Sequence, residues 1–169
     1  MKTLVICRHA KSDWSHDLPD KDRPLNSRGE QDAPKMGQIL QSYGFMPDLI
    51  LSSTANRAIT TARLVASELG YAEHNIRLEP RFYDTTPGMV LGLLQDVPEE
   101  VETLMIFGHN PTWELLGKLL LRSDGEVVMP TCGMICLEVP ISNWQHLGAV
   151  PAHLRWFLVP RIFENATWK

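Results

Sequence analysis

The sequence predicts an α/β fold: a three-layer α/β/α sandwich around a mainly parallel sheet, with an antiparallel element at one edge. Three observations carry this. Short apolar runs alternate with amphipathic stretches of helical length, the pattern of βαβ units whose strands are covered on both faces. The last third changes character, because "MPTCGMICLEVP" and "HLRWFLVP" both read as strands with only a short polar joint between them. Finally, 169 residues, 44% apolar and 21% charged, suit one globular domain over residues 1–169 with a core of its own.

In chain order, "TLVIC" is the first strand and "KSDWSHDLPDKDRP" a surface loop rather than a domain boundary. The helix containing "MGQILQSYG" has conflicting signals at its start. Ser27 and Glu30 have capping-box spacing, yet Pro34 follows and removes a backbone hydrogen bond, so the helix either kinks there or begins near Asp32. "DLILS" is a second strand. "RAITTARLVASEL" is a helix that starts near Ser53 or Thr54, with Ile59, Ala62, Val65 and Leu69 on its apolar face. "NIRLEP" and "GMVLGLLQDV" continue the alternation, and "TLMIFG" is a further strand. A helix follows from about Pro111 to Leu121, with Asn110 as its cap and Pro111 at its first position. No internal repeat, low-complexity tract or linker interrupts the chain.

A net charge of −4 argues against a surface that wraps nucleic acid or lies on anionic lipid. Any anion site must therefore be made by a few placed residues. The apolar run Leu4 to Cys7 is too short for a secretory signal and no later run reaches membrane length, so a cytoplasmic, soluble monomer is expected. Cys7, Cys132 and Cys136 are odd in number and lie in apolar segments, which predicts buried, reduced thiols. On one strand Cys132 and Cys136 would stand roughly 13 Å apart, too far to clasp one metal. The polar cluster "SDWSHD" has no calcium-loop spacing. Neither metal nor cofactor is expected.

"LVICRHA", "DLILSSTANR" and "TLMIFGHN" each carry a strand out of the core into polar residues. In a parallel sheet these exits share the carboxyl edge, where open α/β folds bind ligands. Arg8, His9, Arg57 and His109 then meet in one pocket. Arg57 falls in the first turn of its helix, an electrostatically unfavourable place for a cation unless an anion sits nearby. Two arginines at one edge of a net-negative chain point to phosphate, whose oxygens match the guanidinium fork.

The stretches "RHAKSDW", "RPLNSRG", "SSTANRAITTA" and "GHNP", in that order, resemble the histidine phosphatase superfamily and within it the small SixA-type phosphohistidine phosphatases. The resemblance implies a phosphoglycerate mutase-like fold without a large lid insertion. It implies that His9 attacks phosphorus and forms a covalent phosphohistidine that water hydrolyses, while Arg8 and Arg57 hold phosphoryl oxygens and His109 bonds to one of them. Arg23 matches a further phosphate contact, the alternative being a loop salt bridge with Asp20 or Asp22. Lys11 and Ser12 are candidate donors to phosphate or substrate, or solvated loop residues.

The general acid departs from the better-known members, since Asn110 follows the second histidine where the acid phosphatase branch has aspartate. Asp84 in "RFYDTTP" is the nearest mid-chain candidate, Asp13 an outside one, and either can instead be a turn residue. A weak acid suits cleavage of P–N bonds better than P–O bonds, because imidazole leaves more readily than alkoxide. The implied substrate is phosphohistidine on a phosphotransfer protein, the alternative a small phosphate ester, and a non-catalytic phosphoprotein-binding module a third reading. Trp14 and Trp113 are candidates to line an open groove, or core residues.

Overall fold

The computed structural model describes residues 1–163. Strands β1 (Lys2–Arg8), β2 (Leu49–Ser52), β3 (Arg77–Leu78), β4 (Thr103–Gly108), β5 (Met134–Val139) and β6 (His153–Leu158) alternate with helices α1 (Ser27–Ser42), α2 (Asn56–Leu69), α3 (Pro87–Gln95) and α4 (Thr112–Leu121). They form one sheet in the order β3-β2-β4-β1-β5-β6. β2 pairs in parallel with β3 and β4, and β4 with β1, whereas β5 runs antiparallel to β1 and β6 antiparallel to β5. This is the predicted mixed sheet with its antiparallel edge.

The apolar runs are explained by burial on both faces. Leu4, Ile6, Leu104 and Ile106 pack toward Val90 and Leu94 of α3 and toward Trp113, Leu116 and Leu120 of α4. The alternate residues Val5, Cys7, Met105 and Phe107 pack toward Met36, Ile39 and Leu40 of α1 and Ala62, Val65 and Leu69 of α2. Side chains of period two therefore meet a helical layer whichever way they point.

Several local expectations are corrected. α1 begins at Ser27, not near Asp32, and includes Pro34, and its cap is Asn26, whose Oδ1 accepts the Gly29 N–H at 3.0 Å. The Glu30 N–H donates to the Asn26 carbonyl, so no Ser27–Glu30 capping box forms. A helical proline costs about 3 kcal/mol. Burial of Met36, Ile39 and Leu40, at about 1.5–3 kcal/mol each, outweighs it.

α2 starts at Asn56, later than expected, and Ala58 rather than Ile59 is buried on its inner face. α4 starts at Thr112, and Asn110 does not cap it; its Nδ2 donates instead to the Met129 carbonyl at 3.0 Å. Cys132 lies before β5 with φ of 60°, so it shares no strand with Cys136. All three cysteines are buried and free.

Trp113 is fully buried, edge-on to Phe82 with ring centroids 5.3 Å apart. It lies over Gly108 so closely that a methyl group there would overlap the indole. Gly108→Ala should therefore lower stability by about 1–3 kcal/mol, read as an earlier midpoint in urea unfolding. An unchanged midpoint would show that Trp113 can move aside freely.

Candidate active site

The β1/β4 register sets Arg8 opposite Gly108, so the next residues, His9 and His109, leave the sheet side by side. The His9 N–H donates to the Gly108 carbonyl at 3.0 Å, and the two imidazole centroids are 5.2 Å apart. On the other side of β4, the Ser53 N–H just beyond β2 donates to the Phe107 carbonyl at 3.0 Å. The helix after β2 then brings in Arg57, whose Nε donates to His9 Nε2 at 3.3 Å. Arg8, His9, Arg57 and His109 do converge at the carboxyl edge of the sheet.

The tautomer of His9 follows from its neighbours. Nδ1 lies 2.7 Å from the Ala10 carbonyl, which can only accept, so Nδ1 carries the proton. Nε2 is left with a lone pair, and that lone pair faces Arg57. Burial above all, then the fields of His109, Arg57 and Arg8, lower the His9 pKa to about 3 against the opposing pull of the Ala10 carbonyl. His109 falls to about 4, again chiefly through burial, with Arg57, Arg23 and Arg8 outweighing Asp20. Both rings are neutral near pH 7. The local backbone is tied on every side: the His9 carbonyl accepts the Cys132 N–H at 3.0 Å, and the Ala10 N–H donates to Thr61 Oγ1 at 3.0 Å. Thr61 Oγ1 in turn donates to the Arg57 carbonyl at 2.6 Å, which joins the β1 exit to α2.

Arg23 is buried with its guanidinium carbon 3.4 Å from the centroid of the Trp14 ring. Its Nη2 donates to Asp20 Oδ1 at 2.6 Å, so the loop salt bridge weighed from sequence is formed. Arg57 donates from Nη1 to the Asp20 carbonyl at 2.6 Å and from Nη2 to Asp20 Oδ2 at 2.9 Å, and Tyr83 Oη donates to the same Oδ2 at 2.8 Å. Partial burial works against ionisation of Asp20, but these bonds and the charges of Arg57 and Arg23 prevail and hold its carboxyl below the usual range. Arg8 is held from behind: its Nη1 donates to the Met129 carbonyl at 2.7 Å, and the Met129 N–H donates to Glu114 Oε1 at 2.7 Å. Sequence reasoning missed Tyr83, Ser53, Glu114 and Met129, and it met Asp20 only as a possible mate for Arg23. The juxtaposition of residues 20, 57 and 83 has no signature in the linear pattern.

Arg8 Nε, Arg23 Nε and Nη1, and His109 Nδ1 are buried with no hydrogen-bond partner among the described residues. His109 Nε2 lies 2.8 Å from Ser53 Oγ. Buried guanidinium N–H groups without acceptors are costly, and an anion with several oxygens is the ligand that satisfies them together.

A cavity of about 350 Å³ opens beside this cluster, lined among others by Asp20, Arg57, Tyr83, Asp84, His109 and Asn110. Asp84 is exposed there, in the left-handed conformation with φ of 52°. Asp13 is instead turned to Ser15, accepting from its N–H and its hydroxyl. Lys11 is exposed, and Ser12 is buried in an isolated bridge to Leu25. Among the described residues neither of these two side chains hydrogen-bonds to the cluster. Trp113 belongs to the core, while Trp14, 74% exposed, stacks on the outer side of Arg23. A larger hollow of about 580 Å³ lies at the opposite, amino-terminal ends of β1 and β4, beside Thr3, Thr103 and Trp156, away from this chemistry. Among the described residues no group of three or more His, Cys, Asp or Glu is placed to hold a metal ion, and no helix is long and apolar enough to cross a membrane.

Residues 4–115 match the family model of the histidine phosphatase superfamily, branch 1. A chloroplast protein of Arabidopsis thaliana is 34% identical over 166 residues, covering 93% of this chain and 75% of the relative. A protein of Nakamurella multipartitia assigned as the phosphohistidine phosphatase SixA superposes with a TM-score of 0.80 at 26% identity, over 94% of this chain and 96% of that one. The corresponding SixA assignment from Agrobacterium tumefaciens gives 0.78 at 28% identity, over 94% and 98% of the two chains. With the family model spanning most of the chain and these structures nearly all of it, the chain belongs to the histidine phosphatase superfamily, a hydrolase of phosphoglycerate mutase-like fold closely related in structure to the SixA phosphatases.

Proposed function

We propose that this chain, acting as a single domain without a lid insertion, dephosphorylates phosphohistidine on a phosphotransfer protein, with His9 as the nucleophile. The observation that carries the reading is the fixed tautomer of His9: the Ala10 carbonyl holds Nδ1–H and leaves the Nε2 lone pair facing Arg57. In the first step Nε2 attacks phosphorus, the P–N bond to the substrate breaks, and the substrate imidazole departs with the bonding electrons. In the second step water attacks phosphorus, the P–N bond to His9 breaks, and inorganic phosphate leaves.

Arg8, Arg23 and Arg57 hold phosphoryl oxygens, the first two through the buried N–H groups that lack protein acceptors. His109 donates from Nδ1 to another oxygen once Ser53 donates to its Nε2. Catalysis here is placement and charge stabilisation. The steps above do not call on Lys11, Ser12 or a metal.

The choice of substrate rests on the leaving group. A phosphorylated imidazole protonated on its distal nitrogen leaves as neutral imidazole without an acid at the breaking bond, whereas an alkoxide needs one. The carboxylates of Asp20 and Asp84 on the adjoining cavity favour a ring that carries this proton. Asp84 is the acid that this reading assigns if an ester is cleaved. The exposed Trp14 stacked on Arg23 offers a contact for a protein surface, and the likeness to the two SixA structures supports the same substrate class.

The test is phosphate release from a histidine-phosphorylated phosphotransfer domain beside a panel of small phosphate esters, with His9→Ala as the blank. Rapid His9-dependent release from the phosphoprotein and slow ester turnover is the expected result. The reverse preference would keep the covalent mechanism and overturn the substrate; no His9-dependent release from any of them would leave a phosphoprotein-binding module.

A second expectation concerns pH. The ring nitrogen resonances of His9 and His109 should stay at neutral-imidazole positions from about pH 8 to about pH 5, a range in which an ordinary histidine protonates. Titration of either near ~6.5 would remove the electrostatic account. The unfolded chain protonates these groups near ~6.5, the folded one only at about 3 and about 4. Their contribution to stability is thus complete above the unfolded value and is lost as pH falls toward the folded ones. Urea midpoints should accordingly decline on acidification.

A further inference from the structure

The geometry points to Asp20 as a positioning residue for the phosphate site, one that aims Arg57 and Arg23 at the phosphoryl group without touching it. This rests on the function proposed above and adds a residue that the sequence motifs do not supply.

A guanidinium offers two paired edges, an end-on pair from the two Nη atoms and a side-on pair from Nε and one Nη. In Arg57 both Nη atoms are taken by Asp20, Nη1 by its main-chain carbonyl at 2.6 Å and Nη2 by its carboxylate at 2.9 Å. Nε is the group that faces His9. With the end-on edge occupied, the side-on edge is turned to the place where phosphorus must arrive. Arg23 is held at one point, where Asp20 takes Nη2, and its buried Nε and Nη1 have no partner among the described residues.

The carboxylate is itself aimed by the Tyr83 hydroxyl at 2.8 Å, and its turn is anchored to α2 by Asn56 Nδ2, which donates to the Asp22 carbonyl at 3.0 Å. The asymmetry of exposure separates this from an ordinary surface ion pair. The Asp20 side chain is 49% exposed, whereas those of Arg23 and Arg57 are only 8% and 7% exposed. The carboxylate accepts from one buried Nη of each guanidinium, and it also governs where the two buried forks point.

The decisive experiment is chemical rescue. Asp20→Ala should lower kcat/KM for phosphate release from the histidine-phosphorylated phosphotransfer domain on the order of 10²-fold, the scale of a misplaced catalytic group, in a variant that keeps its fold by circular dichroism. Added formate should refill the carboxylate position and restore much of the loss, while wild type gains nothing from it. Asp20→Asn, which keeps one accepting oxygen, should fall between the two and serves as the test protein should the alanine variant unfold. Affinity for inorganic phosphate, measured by calorimetry, should weaken in parallel and recover with formate.

Wild-type release and phosphate affinity in Asp20→Ala would overturn the proposal. So would a loss that formate fails to restore in a folded variant. If wild type shows no His9-dependent release, the proposed reaction fails, and the phosphate affinities still decide the role of Asp20.

Discussion

The repulsion among cations gathered at one sheet edge is the constraint around which this site is organised. Arg8, Arg23 and Arg57 converge on two imidazoles in a largely buried pocket. Like charges gathered near a protein surface repel one another, so the fold must offset the crowding before any substrate arrives. It does so with neutral and anionic acceptors behind each guanidinium: the Met129 carbonyl for Arg8, the Asp20 carbonyl and carboxylate for Arg57, and the same carboxylate with the Trp14 face for Arg23. The histidines are kept neutral first by burial, and the same arginine charges add to that effect. Preparing the pocket for an anion and freeing the lone pair on His9 are one electrostatic event.

That event needs rigid placement, and the parallel sheet supplies it. Adjacent exits from β1 and β4 fix the spacing of the imidazoles through backbone hydrogen bonds rather than through side-chain packing. The peptide groups around His9 have dedicated partners in β4, in α2 and in the segment before β5. Thr61 matters most here, because its one hydroxyl both accepts from Ala10 and donates to the carbonyl of Arg57. The proposed nucleophile and the nearest guanidinium therefore move together or not at all. The Trp113 indole beneath Gly108 extends the same stiffness into the core.

The parts of this arrangement that were legible in sequence are those fixed by period and by chain neighbours. Continuous apolar runs revealed strands covered on both faces, and a polar break after each run located Arg8, His9 and His109 at strand ends. Local signals failed where tertiary packing overrode them. Pro34 looks like a helix breaker, yet the buried face of α1 carries the helix through it. Asn110 looks like a cap, yet its amide is drawn to Met129, a partner far along the chain. The contribution of Asp20 was illegible for a related reason: its meaning lies in Arg57 and Tyr83, which reach it from other elements, while the sequence shows only an acidic residue in a polar loop. Trp14 and Trp113, equally close to a histidine in sequence, separate cleanly in space, one exposed against Arg23 and one in the core.

The proposed chemistry has an internal symmetry that bears on the missing acid. Whatever the substrate, each turnover ends by breaking a P–N bond to His9 itself. Once phosphorylated on Nε2 with Nδ1 still protonated, that ring carries positive charge, which the Ala10 carbonyl stabilises. It then leaves phosphorus as a neutral imidazole, with no proton required at the breaking bond. A site that completes this second step without an acid is equipped to begin with the same bond in the substrate, provided that the departing imidazole is protonated on its far nitrogen. Cleavage of an ester asks for something more, a proton delivered to oxygen at the moment the bond breaks. Asp84 is the carboxylate on the cavity wall outside the arginine clamp, and it is exposed to water. The balance of these demands falls on the side of phosphohistidine.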